Sequence, residues 1–291
     1  MADFRDSGFD ERPTGTQRGV WTTRPAGATV PPTATAGQTA PPPPPTITPM
    51  VPAARVLPAV RRSSRGRGIA RGLGYALLAI TVVFSLLIFG YRWIAPPTTT
   101  LMLAQRLTGT PIDRAWRPLD RISPHLARAV IMSEDAGFCG HRGVDFAELE
   151  RVYERGLEGG SRGGGSTIAM QVTKNLFLWP SKSYVRKAIE IPMTLVADRW
   201  WGKRRTLEIY LNIAEWGPGL FGAEAAARAY FDKAASELTE FEAALLAVAL
   251  PNPRARNAAD PSAQQRRMAS VVQSRMRSGA RNVRCLAQTA E

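Results

Sequence analysis

The sequence predicts a mostly α-helical domain that follows a single membrane-spanning helix. Residues 72–91 run without a charge, which is long enough for a helix to cross a bilayer core. After residue 98, apolar residues recur at helical spacing, and Gly or Pro residues end most of these segments. Strand-like alternation is almost absent, and no repeat is found. We therefore expect three parts, namely residues 1–71, 72–94 and 98–291.

The first part is predicted to be a disordered cytoplasmic tail. Pro, Thr, Ala and Gly dominate residues 1 to about 60, with Pro41 to Pro45 as the extreme, and such a composition buries too little apolar surface to fold. A spacer is favoured over a ligand for a proline-recognition domain. A basic cluster then precedes the apolar segment, formed by Arg61, Arg62, Arg65, Arg67 and Arg71.

The apolar segment is interpreted as an anchor and not as a cleaved signal peptide. A signal peptide has a shorter apolar core that leads into a small-residue cleavage site, and the preceding tail is too long for one. Arg92 and Trp93 follow at interface depth, and Pro96 and Pro97 end the helix. Because arginines flank its N-terminal end, the positive-inside rule places the tail in the cytoplasm and the domain outside.

Composition limits the partners and the metal chemistry. The formal net charge of +14 favours an anionic partner such as nucleic acid, anionic lipid or a phosphate-bearing substrate. Nucleic acid is not expected, because the domain lies outside the cytoplasm. The two histidines and two cysteines lack metal-site spacing. No disulfide framework is implied, and nothing local indicates that Cys139 and Cys285 pair.

Eight helices are predicted in the domain from apolar periodicity and from start and stop signals. Ser166 is the predicted N-cap of the third, and Thr239 forms a capping box with Glu242 in the seventh. The predicted helices span residues 124–135, 146–157, 166–178, 184–200, 204–216, 223–231, 239–250 and 261–276.

Glu134 is the candidate general acid or base. The apolar residues 127–132 precede it and glycines follow, so it should end a buried helix. Burial disfavours the charged form and raises the pKa of a carboxyl group, which makes it useful near neutral pH. Asp135, His141 and Asp145 lie in the same stretch. From this stretch alone, a solvated acidic helix end is an equal alternative.

A second stretch combines glycines with polar residues at a helix start. Glycines before Ser166 and Thr167 allow backbone N–H groups to approach an anion or sugar oxygens. Gln171 and Lys174 share one face of the following helix. Alone, such a loop is a weak signal, because most are flexible connections.

A third stretch places cations beside a carboxylate. Arg186 and Glu190 are spaced i,i+4, with Lys187 beside them and Lys182 one turn back. Spacing alone favours an exposed salt bridge over a cradle for a diphosphate.

Together these stretches resemble the monofunctional peptidoglycan glycosyltransferases, which are membrane-anchored relatives of the glycosyltransferase module of class A penicillin-binding proteins. The match covers roughly residues 100 to 260, with the motifs in order. It rests on Glu134-Asp-x-x-Phe138-x-x-His141-x-Gly143-x-Asp145, Gly164-Gly-Ser-Thr-Ile168 with Gln171 and Lys174-Asn175, Arg186-Lys-x-x-Glu190, and Leu207-Glu-x-Tyr-Leu-Asn212.

The resemblance implies a lysozyme-like helical fold, a smaller lobe that dips into the outer leaflet, and a location in the inner membrane. It implies polymerisation of lipid II with inversion at the anomeric carbon and release of undecaprenyl diphosphate. Glu134 would be the general base, and Glu190 would be the second catalytic residue, which positions the diphosphate site. The substrate-binding residues implied are Asp135, His141, Ser166, Thr167, Gln171, Lys174, Asn175, Lys182, Arg186 and Lys187.

The resemblance requires no cofactor, although Glu190 is a candidate ligand for a divalent cation, Mg or Mn. The partners it implies are lipid II, the growing lipid-linked glycan, the membrane, and cell-wall synthesis or division proteins.

The chain departs from the family pattern at two positions. Ala169 and Met170 precede Gln171 where the family has a polar residue and a second Gln, and a methionine cannot donate an amide hydrogen bond. Lys182 stands where an arginine is usual, so that a point charge replaces a bidentate fork. Cys139 is interpreted as a space-filling residue.

Other roles stay open where the residues do not decide between them. For His141, a structural hydrogen bond is favoured over proton transfer. Trp179, Trp200 and Trp201 belong either to the membrane interface or to the core.

Two other functions remain open at this stage. A lysozyme-like, glycan-cleaving enzyme also uses a catalytic glutamate, but it needs no diphosphate site. An inactive membrane-anchored scaffold would explain the altered second motif, but not the retention of both glutamates. A fused transpeptidase is not expected, because no Ser-x-x-Lys occurs in the sequence.

Overall fold

The N-terminal helix is long and apolar enough to cross a membrane. The computed structural model describes residues 64–158, 164–181 and 183–287, without the side chains of residues 64–67 and 280. Helix α1 covers Ser64–Gly90, and Gly68–Gly90 qualifies as a membrane span by length and composition. Most of its large apolar side chains are exposed, as a lipid-facing helix requires. Residues 1–63 of the predicted tail, with Arg61 and Arg62, lie outside the described residues. Residues 64–71, which were also assigned to the tail, belong to α1.

The rest of the described chain is mainly helical, which confirms the predicted fold class. Besides α1, the helices are α2 (Thr100–Leu107), α3 (Pro124–Glu134), α4 (Phe146–Leu157), α5 (Ile168–Phe177), α6 (Tyr184–Ile213), α7 (Ala223–Phe231), α8 (Glu240–Ala249) and α9 (Ala263–Ser278). Short 3-10 turns cover Leu119–Arg121, Ala235–Glu237 and Ala280–Leu286. Three short strands are β1 (Asp113–Arg114), β2 (Glu215–Gly217) and β3 (Leu220–Phe221).

Local sequence signals predict most helix ends well. Helices α4 and α7 have the predicted bounds, and Thr239 and Glu242 form the predicted capping box of α8. The N-cap of α5 is Thr167 and not Ser166, because the Thr167 hydroxyl accepts a hydrogen bond from the Met170 N–H at 3.1 Å. Helix α2 was not predicted.

The two helices predicted at 184–200 and 204–216 form one run, α6, with a break at Gly202. Gly202 has φ 72° and ψ 169°, a conformation that favours glycine and interrupts the helix. The run ends at Ile213, so that Trp216 lies in strand β2 and not in the helix. The small sheet has the order β1–β3–β2, with β1 parallel and β2 antiparallel to β3.

Three helices position the candidate site. Helix α3 packs on α8 and α9, while α5 packs on α6. The buried faces of these helices merge into one hydrophobic core, which includes Leu126, Ile131, Tyr210 and Trp216. Glu134, the last residue of α3, accepts a hydrogen bond from Gln171 of α5, and Gln171 in turn accepts one from Tyr210 of α6.

The end of α1 is hydrogen-bonded to the domain beyond it. The Trp201 indole N–H donates to the Ile88 carbonyl at 2.7 Å, and the Arg205 guanidinium donates to the Tyr91 carbonyl at 2.9 Å. The carbonyls in the last turn of a helix need such partners. Arg92 lies 5.7 Å from the ring centroids of both Trp93 and Trp200. The anchor helix is therefore docked on α6 by specific contacts.

Burial assigns one of the three tryptophans to the core. Trp201 is 4% exposed and belongs to the core, while Trp200 is partly exposed against Phe89 at the end of α1. Trp179 is 46% exposed.

Cys139 and Cys285 form a disulfide bond, although no local pattern indicated that they pair. Cys139 lies in the loop that follows Glu134, and Cys285 lies in the 3-10 segment Ala280–Leu286 after α9. The two positions are 146 residues apart in sequence, so no local pattern links them. The interpretation of Cys139 as a space-filling residue is wrong. The bond ties the loop after Glu134 to the C-terminal segment.

Removing this bond should destabilise the protein. A disulfide across such a long loop stabilises by about 3 kcal/mol, mainly by restricting the unfolded chain. The double variant Cys139→Ser/Cys285→Ser should therefore melt about 10 °C below the parent in a thermal unfolding experiment in detergent. Reductant should lower the melting temperature of the parent and leave that of the double variant unchanged. Equal melting temperatures without reductant would contradict this prediction.

Candidate active site

Glu134 is the last residue of α3 and is half-buried. Ser123 caps the start of the helix, and its apolar residues Val130 and Ile131 are fully buried. The Gln171 side-chain amide donates to Glu134 Oε2 at 3.0 Å. The Tyr210 hydroxyl in turn donates to Gln171 Oε1 at 3.3 Å. Helices α5 and α6 therefore fix the orientation of the carboxylate through two linked hydrogen bonds.

The surroundings raise the pKa of the Glu134 carboxyl group above its ordinary value. Burial is the main cause, and the adjacent Asp135 adds to it. The Gln171 hydrogen bond and the charges of Lys174 and Arg256 act in the opposite direction without cancelling it. A carboxylate with a raised pKa is a stronger proton acceptor near neutral pH, which is what a general base needs. The alternative of a solvated acidic helix end is therefore wrong.

Asp135 and His141 hold the loop after Glu134 in place. Asp135 is buried, and His141 Nε2 lies 2.9 Å from its Oδ1 and 3.1 Å from its Oδ2. The Ile168 N–H at the start of α5 donates to Asp135 Oδ2 at 3.0 Å. The Thr167 hydroxyl donates to the Gly143 carbonyl. These contacts agree with the structural role favoured for His141.

Glu190 is buried between two cations. Its side chain is 2% exposed, and its oxygens accept from Arg186 and from Lys187, the latter at 3.2 Å. Lys187 Nζ also donates to Ser166 Oγ at 3.0 Å. The Arg186 side chain is only 12% exposed. The prediction that Arg186 and Glu190 form an exposed salt bridge is wrong, because Glu190 is buried and Arg186 is largely buried. Removing the cations would leave an unpaired buried carboxylate, which is strongly destabilising.

Lys174 interacts electrostatically with both glutamates. It shares a face of α5 with Gln171, and its charge interacts with Glu190 and Glu134 as well as with the neighbouring cations. Burial is the main cause of its lowered pKa, and Arg186 and Lys187 lower it further. We call Lys174, Arg186 and Lys187 the cationic cluster. Glu190 offsets part of its charge, so that the cluster is organised without an anionic ligand.

Several predicted site residues take other roles or lie outside the described residues. The described contact of Asn175 is made by its carbonyl, which accepts from the Thr100 hydroxyl at 3.0 Å. Met170 is fully buried and has no amide group to offer. The amide that contacts Glu134 belongs to Gln171. Lys182 lies outside the described residues, as do residues 159–163 of the glycine-rich loop.

The fourth motif is mainly structural. The Asn212 side-chain amide donates to the Arg117 carbonyl at 2.8 Å, and its oxygen accepts from the Arg117 N–H at 2.7 Å. Glu208 Oε2 accepts from the Leu119 N–H at 3.0 Å. Tyr210 is the exception, because its hydroxyl reaches Gln171.

The residues around Glu190 do not fit a divalent cation. Both Glu190 oxygens are occupied by Arg186 and Lys187, and the charge of Lys174 acts on the same place. Within the described parts of the chain, no three His, Cys, Asp or Glu side chains form a metal-binding group. A metal ion here would face cations in place of ligands.

A groove of about 440 Å³ opens beside Glu134. Its walls come from the loop after α3, the start of α4, the residues before α5 and the end of α9. Two residues near Glu134 were not identified from the sequence. Arg256 follows α8 and acts on Glu134 through its charge, and Arg275 of α9 lines the groove. Neither lies in a motif, so no sequence signal indicated them.

The fold and the site combine a helix that is long and apolar enough to span a membrane with a half-buried carboxylate and a cationic cluster. The sequence profile of the transglycosylase family matches residues 102–277. The chain is 46% identical over 231 residues to a biosynthetic peptidoglycan transglycosylase of Rhizobium etli, which covers 79% of this chain and 99% of that protein.

It is also 48% identical over 204 residues to proteins of the same name from Rhodospirillum centenum and Brucella suis. Each of these two matches covers 70% of this chain, and they cover 86% of the first protein and 91% of the second. The chain belongs to the transglycosylase family.

Removing the Gln171 amide should move the pH dependence of activity. The hydrogen bond from Gln171 favours the charged form of Glu134, so Gln171→Leu should raise the pKa of Glu134 further. If Glu134 acts as a base, it must be deprotonated. The fall in activity on acidification should therefore begin at a higher pH in this variant than in the parent. The measurement is the acid limb of the pH–rate profile. Tyr210→Phe keeps the direct bond and should shift the limb less, and an unshifted limb in Gln171→Leu would contradict the assignment.

Proposed function

We propose that this chain polymerises lipid II into glycan strands for the cell wall and releases undecaprenyl diphosphate. The observation that carries the proposal is the placement of Glu134 beside Lys174, with Arg186 and Lys187 organised by the buried Glu190. A base and a cation cluster side by side suit a reaction that removes a proton from one sugar and releases a diphosphate from another. The names of the related proteins support the same reaction class.

Glu134 acts as the general base in this proposal. Its carboxylate takes the proton from the 4-hydroxyl of the acceptor sugar as that oxygen attacks the anomeric carbon of the growing chain. The bond from the anomeric carbon to the diphosphate oxygen breaks on the opposite face, so the configuration inverts. Gln171 and Tyr210 keep the carboxylate aimed at the hydroxyl, and orientation of this kind contributes directly to the rate.

The cationic cluster stabilises the leaving group. A diphosphate gains negative charge as its bond to the sugar breaks, so fixed cations lower the transition state more than the ground state. Lys174, Arg186 and Lys187 supply these charges, and Lys182 is a fourth candidate from the family resemblance. Glu190 touches two of the cations and acts as a positioning residue. A glycan-cleaving enzyme would have no use for this cluster.

The proposed substrate and the fold support a reaction at the outer face of the inner membrane. Lipid II is held in the bilayer by its prenyl chain, and helix α1 holds the enzyme there. The basic residues that precede the apolar part of α1 favour a cytoplasmic N-terminus. The disulfide between Cys139 and Cys285 supports an oxidising compartment for the domain, because such bonds are rare in the cytoplasm.

Substitution of either glutamate should abolish most of the polymerisation activity. Glu134→Gln keeps the shape but removes the base, so the rate from purified lipid II should fall about 1000-fold. Glu190→Gln leaves the cations without their counter-charge, and we expect a loss of about 100-fold.

Glu154→Gln on the exposed face of α4 is the matched control and should keep the parental rate. Strand formation by Glu134→Gln at more than a tenth of the parental rate would overturn the base assignment. Cleavage of finished glycan by the parent, without polymerisation, would favour the glycan-cleaving alternative.

A further inference from the structure

The groove beside Glu134 contains arginines that the proposed reaction does not use. Its lining includes Glu134 and Ser166 but, within the described residues, none of the cationic cluster. Polar and apolar atoms both contribute to its walls, and its size falls within the range of small-molecule sites. A sugar fits such a surface, whereas a prenyl chain would favour an apolar one.

The acidic groups in the groove are already partnered. Asp135 is held by His141 and the Ile168 N–H, and Asp145 caps α4 by accepting from the Glu148 N–H at 2.9 Å. Glu148 pairs with Arg151 at 3.4 Å and with Arg155 at 3.0 Å. Glu134 accepts the hydrogen bond from Gln171, and of the two arginines on this lining only Arg275 has no ion pair in the described part of the chain. The groove thus presents one guanidinium that is not neutralised by these carboxylates.

The packing around Arg275 holds it close to the loop after Glu134. It lies in the last turn of α9, which packs against α3. A side chain added at Gly279 would come within 2.7 Å of Met132 Cε, so the end of α9 approaches the end of α3 as closely as a glycine allows. The disulfide from Cys285 to Cys139 then fixes the segment that follows α9. This packing keeps the backbone of Arg275 at a set position relative to Glu134.

We propose that Arg275 binds a carboxylate on the peptide side chain of the glycan substrate when its sugar lies in this groove. The proposal rests on the function proposed above. A lipid-linked disaccharide peptide carries two kinds of anion, the diphosphate beside the lipid and the carboxylates of the peptide. The cationic cluster suits the diphosphate, and a planar guanidinium at the opening of a sugar groove suits a carboxylate.

Binding of a soluble disaccharide peptide without lipid or diphosphate tests this assignment directly. Two ligands are compared, one with free peptide carboxylates and one with the same carboxylates amidated, by calorimetry on the full chain in detergent. Arg275→Gln should raise the Kd for the free-carboxylate ligand about tenfold, the effect of losing one exposed charged hydrogen bond. Its Kd for the amidated ligand should stay within about twofold of the parental value.

Arg277→Gln is the matched control, because Arg277 lies two residues further along the same helix and does not line the groove. It should bind both ligands as the parent does. Equal effects of Arg275→Gln and Arg277→Gln, or a parent that does not distinguish the two ligands, would overturn the assignment.

The binding result separates this inference from the proposed function. A parent that binds the free-carboxylate ligand through Arg275 but makes no strands from lipid II would support the site and contradict the polymerase. A parent that makes strands while Arg275→Gln binds normally would overturn the site alone.

Discussion

A single half-buried carboxylate at the end of α3 is the constraint around which the described domain is arranged. Helix α3 packs by its apolar face on α8 and α9, which holds Glu134 at the edge of the core and beside the groove. Burial raises its pKa, and the amide of Gln171 prevents the group from becoming neutral too easily by favouring its charged form. The fold thus balances two opposed effects to keep a proton acceptor ready near neutral pH.

The second constraint is a buried counter-charge. Glu190 loses hydration by burial, which costs several kcal/mol for an isolated carboxylate, and Arg186 and Lys187 offset that cost. The same pairing holds the Arg186 and Lys187 side chains together in the absence of an anionic ligand. Lys174, whose pKa is lowered by burial and by these neighbours, depends on the two glutamates to remain charged. Base and cations are therefore electrostatically coupled, although they come from three different helices.

Local signals made the helices and the motif residues predictable, and the rest depended on contacts distant in sequence. The capping box of Thr239 and the bounds of α7 follow from adjacent residues. The disulfide joins positions 146 residues apart, and Arg275 reaches the groove only because α9 folds back on α3. Thr167 replaced Ser166 as N-cap because its hydroxyl also reaches Gly143, a contact no local pattern encodes.

The proposed reaction requires Glu134 to be the group whose ionisation controls the rate. The most direct measurement is a carbon NMR titration of the Glu134 carboxyl in the detergent-solubilised protein, compared with the acid limb of the polymerisation rate from lipid II. We expect one titration midpoint in both experiments, above the ordinary glutamate range because of burial. A Glu134 that titrates in the ordinary range, or a rate that falls at a different pH, would contradict the assignment of Glu134 as the base.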